Sequence, residues 1–316
     1  MADLRNTFSW SHSRDDMFRA CPRQYYYHYY GSWGGWEPKA DPKARTLYIL
    51  RQLQTRQQWL GATVHNCVRW ILATLHQTGE PPAEETALHQ LGRRLQRDFE
   101  ASGEGLYWEN PRAHTALLEH EYDDLEVADE VWQETFEKAL RCTSNFFHGH
   151  VLADIRAVPP EQWLELEERA SFDLDGLKVW VQLDFALRDD QGVRIFDWKT
   201  GKADLETTRK QLALYALYAR QRWEVEPGQI TLVEFNLNNG EVYERQTSQD
   251  DLAAAQERVD QSVAAMQALL DDPATNLARE ERFPFTDQEK HCLRCPFRRI
   301  CPKWNVPEQP TGEPAD

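Results

Sequence analysis

The hydrophobic period of this 316-residue chain changes near Pro159-Pro160, and that change decides the fold class. Before it, apolar residues recur at helical spacing; Val64, Val68, Ile71 and Leu75 form one stripe. Helical patterns cover 9–30, with Ser11 and Ser13 available as caps, then 44–77, then two or three helices over 83–148 broken near Asn110-Pro111. Ser32 to Lys39 reads as a loop. After the change the period is two. Residues 163–174 read as a strand and Asp175-Gly176 as a hairpin turn. In 177–187, Leu177, Val179, Val181, Leu183, Phe185 and Leu187 share one face, and Lys178, Trp180, Gln182 and Asp184 the other.

A turn at Asp190-Gln191-Gly192 leads to a strand from Val193 to Lys199. A helix is predicted over 204–223, then strands over 229–237 and 241–246 around Asn238-Asn239-Gly240. Ser248-x-x-Asp251 resembles a capping box and opens a helix with Leu252, Val259, Met266 and Leu270 on one face. The fold class is therefore mixed α+β. The predicted segments are 1–30, a helical region 31–158, a core 159–247, a long helix with a cysteine-bearing end 248–306, and a disordered tail 307–316.

Apolar residues at 41 % and charged residues at 28 % fit a globular chain and exclude collagen-like and wholly disordered classes. No run approaches the roughly 18 apolar residues of a membrane helix, and Met1 to Thr7 has no apolar h-region, so a cytoplasmic, membrane-free protein is expected. The net charge of −16 argues against broad nucleic-acid binding but leaves room for a local basic groove, because screening confines surface fields to roughly 8–10 Å. His291 to Lys303 carries Arg294, Arg298, Arg299 and Lys303 without an acid, and is the sequence's candidate backbone-binding patch.

Asp184 lies mid-strand, and Asp197 and Lys199, two apart in the next strand, share a face. If these strands pair, two carboxylates and an ammonium meet. Hard divalent cations such as Mg²⁺ take one or two carboxylates with waters and substrate phosphate, and a lysine beside them positions or polarises water. That set suits metal-assisted phosphodiester hydrolysis. An alternating charged face is ordinarily just solvated. This one differs because Asp197 and Lys199 point where Val193 and Ile195 point. Gln211 and Tyr215, four apart on the following helix, either reach back to hold substrate or form an ordinary helix edge. His65, beside the apolar stripe, is either a core-boundary residue or a nitrogen ligand to the same metal.

Cys292-x-x-Cys295 and Cys301 form a tight thiolate cluster needing a fourth ligand. Cys21 precedes Pro22 just as Cys295 and Cys301 precede prolines. Four thiolates suit structural zinc or an iron–sulfur cluster, and the spacing does not choose between them. Cys67 and Cys142 have no partner at such spacing and read as small buried hydrophobes. Closing a loop of about 270 residues would staple the chain ends and add several kcal/mol in the loop-closure picture.

The ordered set runs Cys21-Pro22-Arg23-Gln24-Tyr25-Tyr26-Tyr27, His65, Asp184, Asp197-Trp198-Lys199-Thr200-Gly201, Gln211-x-x-x-Tyr215 and Cys292-x-x-Cys295-x5-Cys301-Pro302. It resembles the RecB-like branch of the PD-(D/E)XK nuclease superfamily, and within it the members carrying an iron–sulfur cluster, among them CRISPR-associated adaptation nucleases and recombination-repair nuclease domains. The resemblance implies a restriction-endonuclease-like central sheet flanked by helices, with a cysteine cluster joining the termini. It implies that His65, Asp184, Asp197 and the main-chain carbonyl of Trp198 bind Mg²⁺ or Mn²⁺, and that Lys199 orients or activates the attacking water. Gln211 and Tyr215 would contact the substrate backbone, and Cys21, Cys292, Cys295 and Cys301 would hold a [4Fe–4S] cluster rather than zinc.

Two departures stand out: Val181 occupies a position usually held by glycine, and the long gap from Cys21 to His65 implies a helical insertion. No G-x-x-x-x-G-K-[ST] run exists, so the chain carries no helicase motor of its own. The expected function is a metal-dependent DNA exonuclease acting on single-stranded or frayed ends in repair, recombination or CRISPR-type processing, with a protein partner in such a complex. The alternative is a non-catalytic, cluster- or zinc-bearing DNA-binding scaffold. Tyr25 to Trp36 offers aromatics either for base stacking or, for most of them, for core and cluster shielding.

Overall fold

The computed structural model describes residues 5–202 and 205–304, with the side chains of 205–209 left aside; the tail expected to be disordered lies outside the described residues. The chain forms two compact units. One joins residues 13–53 to residues 266–304, with 5–7; the other is built from 8–12 and 54–265. Among the described residues, no helix is long and apolar enough to cross a membrane.

In the first unit, helices His12–Ala20 (α1) and Pro22–Tyr26 (α2) run into a π-helical turn, Tyr27–Gly31, followed by Pro42–Leu50 (α3). Asp41 caps α3 by accepting from Lys43 N and Ala44 N. Tyr25, Tyr27 and Phe283 are buried, and Tyr26 meets Phe283 with ring centroids 5.2 Å apart. Arg23 Nε donates to Phe283 O at 2.8 Å and its Nη1 to Glu280 at 3.1 Å. These contacts tie chain start to chain end through a hydrogen-bonded arginine and an aromatic core.

The helical pattern read over 44–77 is two helices. Thr55 and Gln58 form a capping box that starts a second helix, Arg56–Thr78 (α4), which ends on Gly79 in the left-handed region. Glu84–Gly103 (α5), Asp129–His148 (α6) and His150–Arg156 (α7) complete the helical layer. Its apolar stripe, including Val64, Val68, Ile71, Leu91, Leu95 and Phe146, packs with Phe185, Phe196, Trp198 and Phe235 of the sheet, and Cys67 and Cys142 lie in that core.

Seven strands follow: Trp163–Leu166 (β1), Arg169–Leu174 (β2), Leu177–Gln182 (β3), Phe185–Asp189 (β4), Gly192–Lys199 (β5), Ile230–Asn236 (β6) and Glu241–Gln246 (β7). The central sheet has the order β1-β4-β5-β6-β7, while β2 and β3 form a separate hairpin. Within the central sheet β5 and β6 pair in parallel and the other neighbours antiparallel, and the helix Leu205–Trp223 (α8) supplies the crossover. The fold is thus mixed α+β, a five-stranded mixed sheet flanked by helices, consistent with a restriction-endonuclease-like architecture.

Two single strands expected from the alternation, 163–174 and 177–187, are each broken, and they break opposite one another. Glu167 adopts φ 49°, left-handed and incompatible with a continuing strand, and its N–H donates to Asp184 O at 3.0 Å. Leu183 and Asp184 interrupt the second run at the same level. The ribbon therefore leaves the hairpin and enters the central sheet at this double break. The Ser248/Asp251 capping box closes reciprocally at the start of Gln249–Gln267 (α9).

Candidate active site

Phe185 pairs with Phe196 across β4 and β5, so Asp184 and Asp197 come next in the register, facing each other on one side of the sheet. Both are buried, at 7 % and 2 % exposure. Asp184 Oδ2 accepts from Trp198 N at 2.6 Å, and its Oδ1 lies 3.1 Å from His65 Nδ1, projected from α4. The same imidazole nitrogen is 3.5 Å from Glu167 Oε1. One ligand atom each from His65, Glu167 and Asp184 lie within 4.8 Å of one another. Glu167 enters the site through the strand break and was not expected from the sequence.

Lys199 Nζ sits 2.7 Å from Asp197 Oδ2 as an ion pair and donates to Gln211 Oε1 at 3.0 Å. Gln211 Nε2 donates to Tyr215 OH at 2.6 Å, and that hydroxyl donates to Gln182 O at 2.8 Å. Gln211 and Tyr215, one turn apart on α8, thus form a hydrogen-bonded line from the lysine back to β3. Trp198 enters the site through its amide N–H. Glu234, buried on β6, is the register neighbour of Asp197.

The electrostatics follow from this crowding. Burial, opposed by His65 and reinforced by Asp197 and Glu167, raises the Asp184 carboxyl to about 6. Burial works against a charged His65, but the carboxylates of Asp184 and Glu167 prevail and hold its pKa well above the usual imidazole value. Lys199 likewise resists burial because Asp197, Asp184 and Glu234 surround it, and its pKa is raised. It is an ammonium throughout the physiological range. Burial, with the nearby carboxylates, keeps the Tyr215 phenol protonated far above its ordinary range.

The residues fit a divalent cation. Glu167 Oε1 is buried against the His65 imidazole at 3.5 Å, and Asp197 Oδ2 is buried against Lys199 Nζ at 2.7 Å. The carboxylates of Glu167, Asp184 and Asp197 gathered beside one imidazole form a hard, mainly oxygen donor set.

In the other unit, Cys21, Cys292, Cys295 and Cys301 all line one cavity, walled also by Tyr27, Phe285 and Trp304. Cys292 and Cys295 are pushed up by burial and by neighbouring thiols, Cys295 to about 12. Among the described residues, no three of these sulfurs come within 4.8 Å of one another. The basic patch read from His291 to Lys303 needs correcting. Arg298 is 2 % exposed and donates to Leu293 O at 3.0 Å, so it braces the cysteine turn instead of facing solvent. Tyr25 and Tyr27 are core residues, not a stacking surface, while Trp33 is exposed.

Known proteins were compared with this chain. No curated protein matches it. Among solved structures, the crystal structure of SSO0001 is similar at 18 % identity, covering 56 % of this chain and 79 % of that one, with a TM-score of 0.29. A family model described as the PD-(D/E)XK nuclease superfamily matches residues 9–302, from before Cys21 to just past Cys301. With the match running over nearly the whole chain, the protein belongs to the PD-(D/E)XK nuclease superfamily.

Proposed function

We propose that the protein is a Mg²⁺- or Mn²⁺-dependent deoxyribonuclease of the RecB-like branch, cutting single-stranded or frayed DNA ends and carrying a structural [4Fe–4S] cluster. The observation that carries the hydrolytic reading is the cluster of His65, Glu167 and Asp184, whose ligand atoms lie within 4.8 Å of one another, with the buried Asp197 beside it. Those three side chains, with Asp197, would hold the cation. When bound, a divalent cation polarises a phosphodiester oxygen and acidifies a bound water.

The protein's own residues supply the rest. Lys199, held charged, donates; it orients the attacking water or a phosphate oxygen and does not serve as base. Gln211 and Tyr215 fix its Nζ by three successive hydrogen bonds that end on β3. Trp198 N–H fixes Asp184 so that its second oxygen faces His65.

The cluster reading rests on the shared cavity of the four cysteines.

The test is cleavage of end-labelled linear and circular DNA, single- and double-stranded, with Mg²⁺ or Mn²⁺. Metal-dependent cutting of linear single strands, absent in Asp184→Asn, is expected. Equal cutting by parent and variant removes the hydrolytic reading, and cutting of circles removes the end requirement. Anaerobic purification should yield iron and labile sulfide; a colourless protein with stoichiometric zinc overturns the cluster.

A further inference from the structure

In a chain of net charge −16, one cleft concentrates positive charge. It runs between α4 and α5, has a volume of ≈ 460 Å³, and is lined by Arg69, Arg93, Arg94 and Arg97 with Trp70 and no acidic side chain. The four arginines are exposed. Arg94 pairs with Asp98 at 3.6 Å, whereas Arg69, Arg93 and Arg97 have no ion-pair partner among the described residues. Exposed arginines on helices are commonly neutralised by neighbours one turn away; here three are not. Their guanidinium groups present several donors each to the same space, in the geometry that suits phosphate oxygens. The cleft is far larger than a single anion needs.

The cleft is separate from the metal site, and His65 does not line it. Arg69 lies four residues beyond His65 on α4, on the same helix face and about 6 Å further along the axis. Arg93 and Arg97 repeat that spacing on α5.

We propose that this α4–α5 cleft binds the phosphodiester backbone of single-stranded DNA at a surface separate from the metal site. The inference rests on the nuclease reading for its substrate class. Its physical content is separate, since backbone binding by arginine requires no metal. The half-buried Trp70 lines the same cleft and offers a flat apolar surface to a sugar or base.

The experiment measures the affinity of a fluorescent single-stranded DNA oligonucleotide across a salt series in EDTA, where no cleavage occurs. It also measures turnover of bis(p-nitrophenyl) phosphate with Mn²⁺. The double variant Arg93→Gln/Arg97→Gln should bind more weakly, and the slope of log affinity against log salt should shrink by about 0.7 for each arginine removed. Arg93→Lys/Arg97→Lys should restore the slope, and Arg220→Gln on α8 should leave it unchanged. Turnover of the small diester, too short to enter the cleft, should be equal in all variants. An unchanged slope and affinity in the Gln double variant overturns the proposal, and loss confined to an RNA oligonucleotide overturns the assignment to DNA. If the parent hydrolyses neither the small diester nor DNA while the slope still responds, the hydrolytic reading fails and the cleft stands.

Discussion

The acid–lysine site and the cysteine cavity are assembled from opposite kinds of sequence neighbourhood. Asp184, Asp197 and Lys199 come from adjacent antiparallel strands whose register sets them face to face, with His65 added from α4 and Glu167 from the strand break. Cys21 reaches Cys292, Cys295 and Cys301 only because the two ends of the chain pack into one unit. The first site is formed by hydrogen-bonded sheet and needs no ligand to exist. The second closes a very long loop, so a group bound by these sulfurs would also hold the fold. Chemistry should therefore be lost by changes in one region, and stability by changes in the other.

The largest expected effect is on activity. Asp184→Asn keeps an acceptor for Trp198 N–H but removes the charge, and should slow DNA cleavage roughly 10³-fold with an unchanged melting temperature in EDTA. A large loss of melting temperature would blur the contrast between the sites. Cys295→Ser should do the reverse, losing several kcal/mol in denaturant unfolding and, under the cluster proposal, the iron content of the parent. Its turnover of a small phosphodiester, per folded molecule, should stay near that of the parent; a loss as deep as that of Asp184→Asn would break the comparison.

Glu167→Gln should weaken Mn²⁺ binding by about 10–100-fold in titration calorimetry, marking Glu167 as a ligand and not a bystander. Tyr215→Phe removes the last link of the line from Lys199 and should cost about tenfold in kcat, with KM little changed. Smallest is a pH effect. The raised carboxyl of Asp184 and the raised imidazole of His65 both bind protons that a cation must displace. The rise in melting temperature on adding Mg²⁺ should thus be small at pH 5 and grow as pH passes upward through about 6. For the metal-free protein, the raised carboxyl of Asp184 alone makes the fold less stable above about pH 6 than below it, since the folded state holds the proton more tightly than the unfolded chain.

Much of this arrangement is visible in the residues. The two-residue spacing of Asp197 and Lys199, and their place among Val193 and Ile195, put them on one buried face. The four-residue spacing of Gln211 and Tyr215 places both on one turn of α8. What the pattern hides is where strands stop. Alternation runs through Leu183, Asp184 and Phe185 without a flaw, so period alone shows one strand where there are two. Glu167 was invisible for the same reason, since its direction depends on a backbone angle and not on a hydrophobic period. Arg298 misled in the other sense. A run of basic residues announces a surface, yet its guanidinium turned inward to the carbonyl of Leu293. The arginines of α4 and α5 are scattered over two helices and gather only when these pack.

The left-handed backbone at Glu167 has an evolutionary reading. A glutamate there costs about 1–2 kcal/mol relative to glycine, which takes up that angle freely. Deep mutational enrichment scored only for heat resistance should drift toward glycine at this codon, while enrichment scored for phosphodiester cutting should keep the acid. The same position would then report, by its preferred letter, which of two demands a population had been made to answer.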